Sequence, residues 1–185
     1  MEEKNENLNK KVANWWDNNP FVYSFDKKEI IPGADFFREV DRKFIKWTPW
    51  GQKDTRPLSG VIDYDGLRGK KVLDVAIGTG WSTEQFTRHG ADVTAIDISP
   101  KAVELTRNRF ATFNLSTAEI MVADAQDMPF ADNAFDFVLA WWYYIYLSKG
   151  ILRGKLLSMS AQELANRYTD GVYQGGNQLT KFNSK

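Results

Sequence analysis

The residues of this chain with the clearest chemical use fall at three places along one stretch: Asp74 with Gly78-Thr79-Gly80, then Asp97-Ile98, then Asp124-Ala125. The two glycines let a backbone turn sharply and approach a ligand where a Cβ would clash. A carboxylate such as Asp97 can accept hydrogen bonds from both ribose hydroxyls of an adenosine, each charge-assisted bond contributing about 1.5–3 kcal/mol. A carboxylate such as Asp124 can accept from the exocyclic amine of adenine, while its neighbours offer backbone N–H groups to the ring. Each group has a plain structural use as well. The GTG could be a tight turn, Asp97 could merely precede the Ser99-Pro100 helix start, and Asp124 could open a loop. What sets them apart is that all three stand at the ends of successive strands.

Those strands are read from the hydrophobic pattern. KKVLDVAI is a buried strand, followed by GTG and a helix from about Trp81 to His89 that Gly90 closes. DVTAIDI is the next strand, and Ser99 caps the following helix with Pro100 in its first turn. EIMVAD is a third strand and AFDFVLAWW a fourth. Strand–helix–strand alternation implies an α/β fold with a parallel sheet and right-handed crossovers. Ligands of open parallel sheets sit at the carboxyl ends of the strands, near the point where the strand order reverses. The helix after GTG adds free N–H groups and the positive end of its dipole.

DVAIGTG resembles the glycine-rich first motif of the class I S-adenosylmethionine (SAM)-dependent methyltransferases, whose common form has glycine where Ala76 stands. VTAIDISPKAVELTRNR looks like the second motif of that family, and VADAQDMPFADNAFDFVLAW closely resembles its third and fourth. WWDNNPFVYSFD is similar to the opening segment of a small-molecule branch. The resemblance implies a Rossmann-like fold with parallel strands in the order 3-2-1-4, SAM as cofactor, S-adenosylhomocysteine as product and a small-molecule acceptor. It places Asp74, Ala76 and Gly78-Thr79-Gly80 near the methionine moiety, Asp97 and Ile98 at the ribose, Asp124 and Ala125 at adenine, and Ala140 among the cofactor contacts. The competing ligand is a nicotinamide dinucleotide. Its fingerprint wants a third glycine, whereas Trp81, Ser82 and Thr83 follow Gly80, and a bulky Trp81 leaves little room for a pyrophosphate.

Composition narrows the field further. The 185 residues carry 24 Lys+Arg against 24 Asp+Glu, so nothing electrostatic calls for a nucleic acid. The absence of cysteine rules out disulfides, thiolate zinc sites and a cysteine nucleophile, and with His89 as the single histidine no metal site is expected. No apolar run reaches the roughly 20 residues needed to span a bilayer. MEEKNENLNKK lacks the apolar core of a signal peptide, which makes the cytoplasm the expected location.

Three zones organise the chain. Residues 1–69 read as an aromatic-rich helical cap, with Leu8, Val12, Trp15 and Trp16 on one helix and Phe36, Phe37, Val40, Phe44 and Trp47 on a second. These stripes suit a cap packed on the sheet or a lid over a ligand. Residues 70–147 hold the SAM-binding core, and residues 148–185 a C-terminal helical segment and tail, in which Ser160 and Glu163 form a capping box. Compared with the seven-stranded family fold, strands five to seven are expected to be missing or incomplete. A free strand-four edge would invite a homodimer unless the C-terminal segment covers it. Two functions are open on this reading: a methyltransferase, or a SAM-binding homologue that is inactive alone or depends on a partner. No general base stands out, since Tyr143, Tyr144 and His89 qualify by chemistry only.

Overall fold

The computed structural model describes residues 2–18, 32–47, 53–116, 118–125 and 127–140. Two helices come first, α1 (Glu2–Asn18) and α2 (Ala34–Trp47). Next along the chain are β1 (Lys71–Val75), α3 (Trp81–Arg88), β2 (Asp92–Asp97), α4 (Pro100–Thr112), β3 (Glu119–Val122) and β4 (Phe137–Leu139). The four strands are all parallel and lie in the order β3-β2-β1-β4, which is the Rossmann-like order expected from the sequence. Among the described residues of AFDFVLAWW three pair with β1, Val72 to Asp74 standing against Phe137 to Leu139. The chain beyond Ala140 lies outside the described residues. The expected capping box, the cover of the β4 edge, the strands beyond β4 and the two tyrosine candidates all belong to that part.

Alternation along the strands sorts the core into two faces. Val72 of β1 with Val93 and Ala95 of β2 joins Phe86 of α3 and Val103 and Phe110 of α4 in one buried cluster. Leu73 and Val75 of β1 with Ile96 of β2 point the other way, onto Met128 and Phe135 from the loop before β4. Both crossover helices therefore lie on the first face, as right-handed β1–α3–β2 and β2–α4–β3 units require. Asp74 shares the register of Val72, so it is driven into the same helix-covered face and is buried there.

The start of α4 shows how local chemistry sets an element. Ser99 adopts an extended backbone, its Oγ accepts from Ala102 N at 3.1 Å, and Pro100 follows in the first turn. That hydroxyl also donates to Asp17 Oδ1 of α1 at 2.6 Å, and Asp17 Oδ1 accepts from Lys101 N at 3.0 Å. A carboxylate from the N-terminal helix thus sits at the positive end of α4 and fastens α1 to the sheet domain.

Candidate functional site

The carboxyl ends of β1 and β2 converge on the loop 76–80. Ala76 N donates to Ile96 O at 2.8 Å, carrying the β1–β2 ladder one step past the strand. The chain then passes through three left-handed residues, Ala76 (φ 62), Gly78 (φ 57) and Gly80 (φ 77). Glycine adopts this region freely, but an L side chain pays roughly 1–2 kcal/mol there. Ala76 therefore holds the backbone form of the family's common glycine while carrying a Cβ. Ala76→Gly is expected to raise stability by about 0.5–1 kcal/mol, the relief of strain being partly offset by the freer unfolded chain. A shift of the urea midpoint to higher concentration would show it, and an unchanged or lower midpoint would contradict it.

Asp97 is the hinge of the site. Its Oδ2 accepts from Gly78 N at 3.0 Å and its Oδ1 from Ser99 N at 2.9 Å, while its carbonyl accepts from Ala123 N at 3.0 Å. One residue at the end of β2 thereby ties the glycine loop, the start of α4 and the exit of β3 together. Burial pushes its carboxyl above the ordinary range, against the pull of the Ser99 and Gly78 N–H groups, and the nearby Asp17 carboxylate adds to the rise. Asp97 therefore also serves the helix start, as its alternative reading allowed.

Asp74, 2% exposed, is the most deeply buried acid here. Its Oδ2 accepts from Ser82 Oγ at 2.8 Å and Thr83 Oγ1 at 2.7 Å, both on the first turn of α3. Burial lifts its carboxyl to about 7, the two hydroxyls holding it below where burial alone would put it. No hydrogen-bond partner is found for its Oδ1 among the described residues.

An open cleft lies at this end of the sheet, beside the β1–β4 pair. Its floor is Asp74, Ala76, Gly78 and Thr79, and Leu139 closes one side. Its roof comes from α2 through Val40, Asp41 and Phe44. Phe44 packs edge-on against Trp81, their ring centroids 4.7 Å apart. No side chain caps α3, whose N-cap is the left-handed Gly80, so the first amides of that helix are left for other acceptors near the loop.

Gly80 and Asp97 are not among the residues that line this cleft, and the remaining expected residues stand off it as well. Ile98 follows Asp97 and is half-buried. The Asp124 carbonyl accepts from Asp127 N at 3.0 Å and so begins a turn. Ala125 and Ala140 pack on the second core face. His89 sits past the end of α3, where its Nδ1 lies 2.7 Å from Gln85 O. Gly69 N–H donating to Gly90 O places that turn beside the start of β1, at the opposite end of the sheet from the cleft.

The structure adds a group that sequence reading missed. Arg109 of α4 is 1% exposed. Its Nε donates to Glu84 Oε2 of α3 at 2.5 Å, and its Nη1 and Nη2 donate to the two oxygens of Asp41 on α2, the first at 3.0 Å. Nη1 also lies 3.4 Å from the Thr79 carbonyl, and the guanidinium stacks over Phe37 with its carbon 5.2 Å from the ring centre. Glu84 is shared with Arg88, whose Nε donates to Oε1 at 2.6 Å. The signal was present in the helical period, since Ala102, Leu105, Thr106 and Arg109 form one buried stripe of α4. Among the described residues no cluster of acids and histidines could hold a metal ion. No helix among them is long and apolar enough to cross a membrane.

Comparison with known proteins identifies the same stretch. Residues 72–161 match a family model described as a methyltransferase domain. Over 71 residues the chain is 45% identical to the demethylmenaquinone methyltransferase of Tropheryma whipplei (strain Twist), covering 38% of this chain and 28% of that protein. It is 37% identical over 82 residues to the magnesium-protoporphyrin O-methyltransferase of Rhodobacter capsulatus, covering 44% of this chain and 36% of that one. A SAM-dependent methyltransferase from Aquifex aeolicus of known structure shares 25% identity, with a TM-score of 0.37 over 42% of this chain and 47% of that one. The matched stretches thus span well under half the length of these curated relatives.

Proposed function

We propose, from the premise that this chain belongs to the class I SAM-dependent methyltransferases through residues 72–161, that it binds SAM and transfers its methyl group to a small-molecule acceptor. The observation that carries the reading is the setting of Asp97, a carboxylate fixed by backbone N–H groups beside the glycine loop at the end of β2, where it can accept from a ribose hydroxyl. Ile98 flanks it, and Asp124 and Ala125 at the end of β3 are assigned to adenine, with Ala140 at the end of β4 also beside the cofactor.

The residues present fit such a ligand at its other end as well. Gly78 is left-handed and lines the cleft, and Asp74 lines it with one oxygen unpartnered among the described residues. A ligand bearing an ammonium group suits that acid, and the uncapped amides of α3 suit a carboxylate. SAM, when bound, supplies an activated methyl on a cationic sulfur, a leaving group that needs no acid. The work left to the chain is to hold cofactor and acceptor in line and to keep water away. Val40, Phe44, Trp81 and Leu139 form the apolar part of the wall. A small acceptor also accords with the printed names of the two curated relatives.

Calorimetric titration with SAM and with S-adenosylhomocysteine tests the reading. Micromolar binding is expected in the wild type, and Asp97→Ala should weaken it at least tenfold, since charge-assisted bonds of about 1.5–3 kcal/mol are lost. A folded wild type that gives no heat and no thermal shift with either ligand overturns it. Binding without turnover over a panel of small acceptors would leave a cofactor-binding protein that is inactive alone.

A further inference from the structure

Helix α2 reaches the cleft along one face. Phe37, Val40, Asp41 and Phe44 recur at helical spacing, and three of them line the cleft while Phe37 is wholly buried beneath. A carboxylate in the middle of that apolar stripe is costly unless paired. Burial indeed lifts the Asp41 carboxyl, the Arg109 guanidinium acting against the rise. The pairing is bidentate, which fixes direction as well as distance. The same guanidinium is anchored from behind by Glu84 at the first turn of α3 and stands 3.4 Å from the Thr79 carbonyl inside the glycine loop. Arg109 thus touches the roof of the cleft, the loop on its floor and the helix that follows the loop.

We infer that Arg109 is a positioning residue that couples the two walls of the cofactor cleft, its pairing with Asp41 latching α2 over the loop 76–80 so that ligand binding and α2 docking stabilise each other. The inference rests on the SAM-binding reading. Three features make the pair a latch and not merely a tie. Arg109 has a second carboxylate partner, Glu84 of α3, so its hold on the glycine-loop side does not run through Asp41. The partner half, Asp41, comes from a helix separated from it by 68 residues. The contact it secures, Phe44 on Trp81, is at the cleft wall itself. A ligand in the cleft touches α2 only when α2 is docked, so its binding free energy is shared with the latch.

The test compares wild type, Asp41→Asn, Asp41→Glu and Glu39→Gln by titration with SAM and by hydrogen exchange of α2 with and without SAM. Glu39 pairs with Arg42 and Lys43 on the exposed side of the same helix and serves as the surface control. Bound SAM is expected to slow exchange in α2 of the wild type. Asp41→Asn should raise the SAM dissociation constant about tenfold, speed exchange in α2 and leave α4 protected. Asp41→Glu, which keeps the charge, should recover part of the affinity, and Glu39→Gln should change neither readout. A wild type that binds SAM while Asp41→Asn binds it equally well, or a ligand that leaves α2 exchange untouched, overturns the coupling alone. A wild type that does not bind SAM overturns the cofactor reading and the coupling together. If Asp41→Asn exposes α3 and α4 to exchange as well, the pair is a general core contact and the latch is wrong.

Discussion

Gly80→Ala is expected to cost about 2–5 kcal/mol of stability, the sum of roughly 1–2 kcal/mol for a left-handed alanine and 1–3 kcal/mol for forcing a methyl into filled space. The filled space is specific. A Cβ on Gly80 would stand 2.5 Å from Thr106 Cγ2 and 2.9 Å from Thr106 Oγ1. Thr106 cannot step aside, being wholly buried on the inner stripe of α4, and its hydroxyl donates to Gly78 O at 3.2 Å. The loop would have to lift, taking with it the Gly78 N–H that Asp97 accepts. Loss of stability and loss of SAM binding should therefore arrive together. Chemical denaturation of Gly80→Ala alone and combined with Thr106→Ser separates the two costs. Removing Cγ2 should return the larger part of the overlap and leave the Oγ1 contact and the backbone strain. A Gly80→Ala protein as stable as wild type would refute the tight approach of loop and helix.

The glycine loop and Asp97 were legible in the sequence because their chemistry is local to strand ends. A buried apolar run followed by Gly-Thr-Gly has few other uses, and Ser99-Pro100 marks the next helix so firmly that Asp97 had to stand just before it. The parallel sense and right-handed crossovers came from alternation, while the place of β4 beyond β1 came from the family resemblance. The start of β4 was not legible, because Phe135, Phe137, Val138 and Leu139 are apolar alike while the strand begins at Phe137.

Long-range polar pairing was the larger blind spot. Asp41 and Asp17 each lie within an aromatic-bearing helix, and helical periodicity treats an acid there as a gap in the stripe. Their partners are residues of α4, 68 and more positions away, and nothing in local propensity encodes such a match. Both acids nonetheless do one job. Asp17 fastens α1 to the start of α4 and Asp41 fastens α2 near its end, so a single crossover helix carries both N-terminal helices. Whether the cap was packing or lid could not be read from the stripe. α2 does both, since Phe37 is core while Val40, Asp41 and Phe44 face the cleft.

Affinity for SAM is expected to rise up to tenfold per pH unit as the pH climbs from 5 toward 7, and to level off above it. The cause is Asp74, whose carboxyl burial holds at about 7 and which lines the cleft. A cationic ligand beside it favours the ionised form, so below pH 7 binding must first expel a proton, and the cost shrinks as the pH rises. Stability of the free protein should move the opposite way. With the folded value near 7 and the ordinary value 3.8, the folded chain keeps a proton that the unfolded chain has already lost across that window. Its contribution is therefore complete below about pH 4 and is lost as pH rises through 7. Asp97 is also raised by burial, so the two acids must be told apart. Asp74→Asn does this, because an amide can still accept from Ser82 and Thr83 but does not titrate in this range. The variant should bind SAM weakly at every pH and should lose the steepest part of both profiles. Titrations in buffers of different ionisation enthalpy would count the proton released. A wild-type affinity that is flat between pH 5 and 8, or a slope that survives in Asp74→Asn, would remove Asp74 from the methionine end of the cleft.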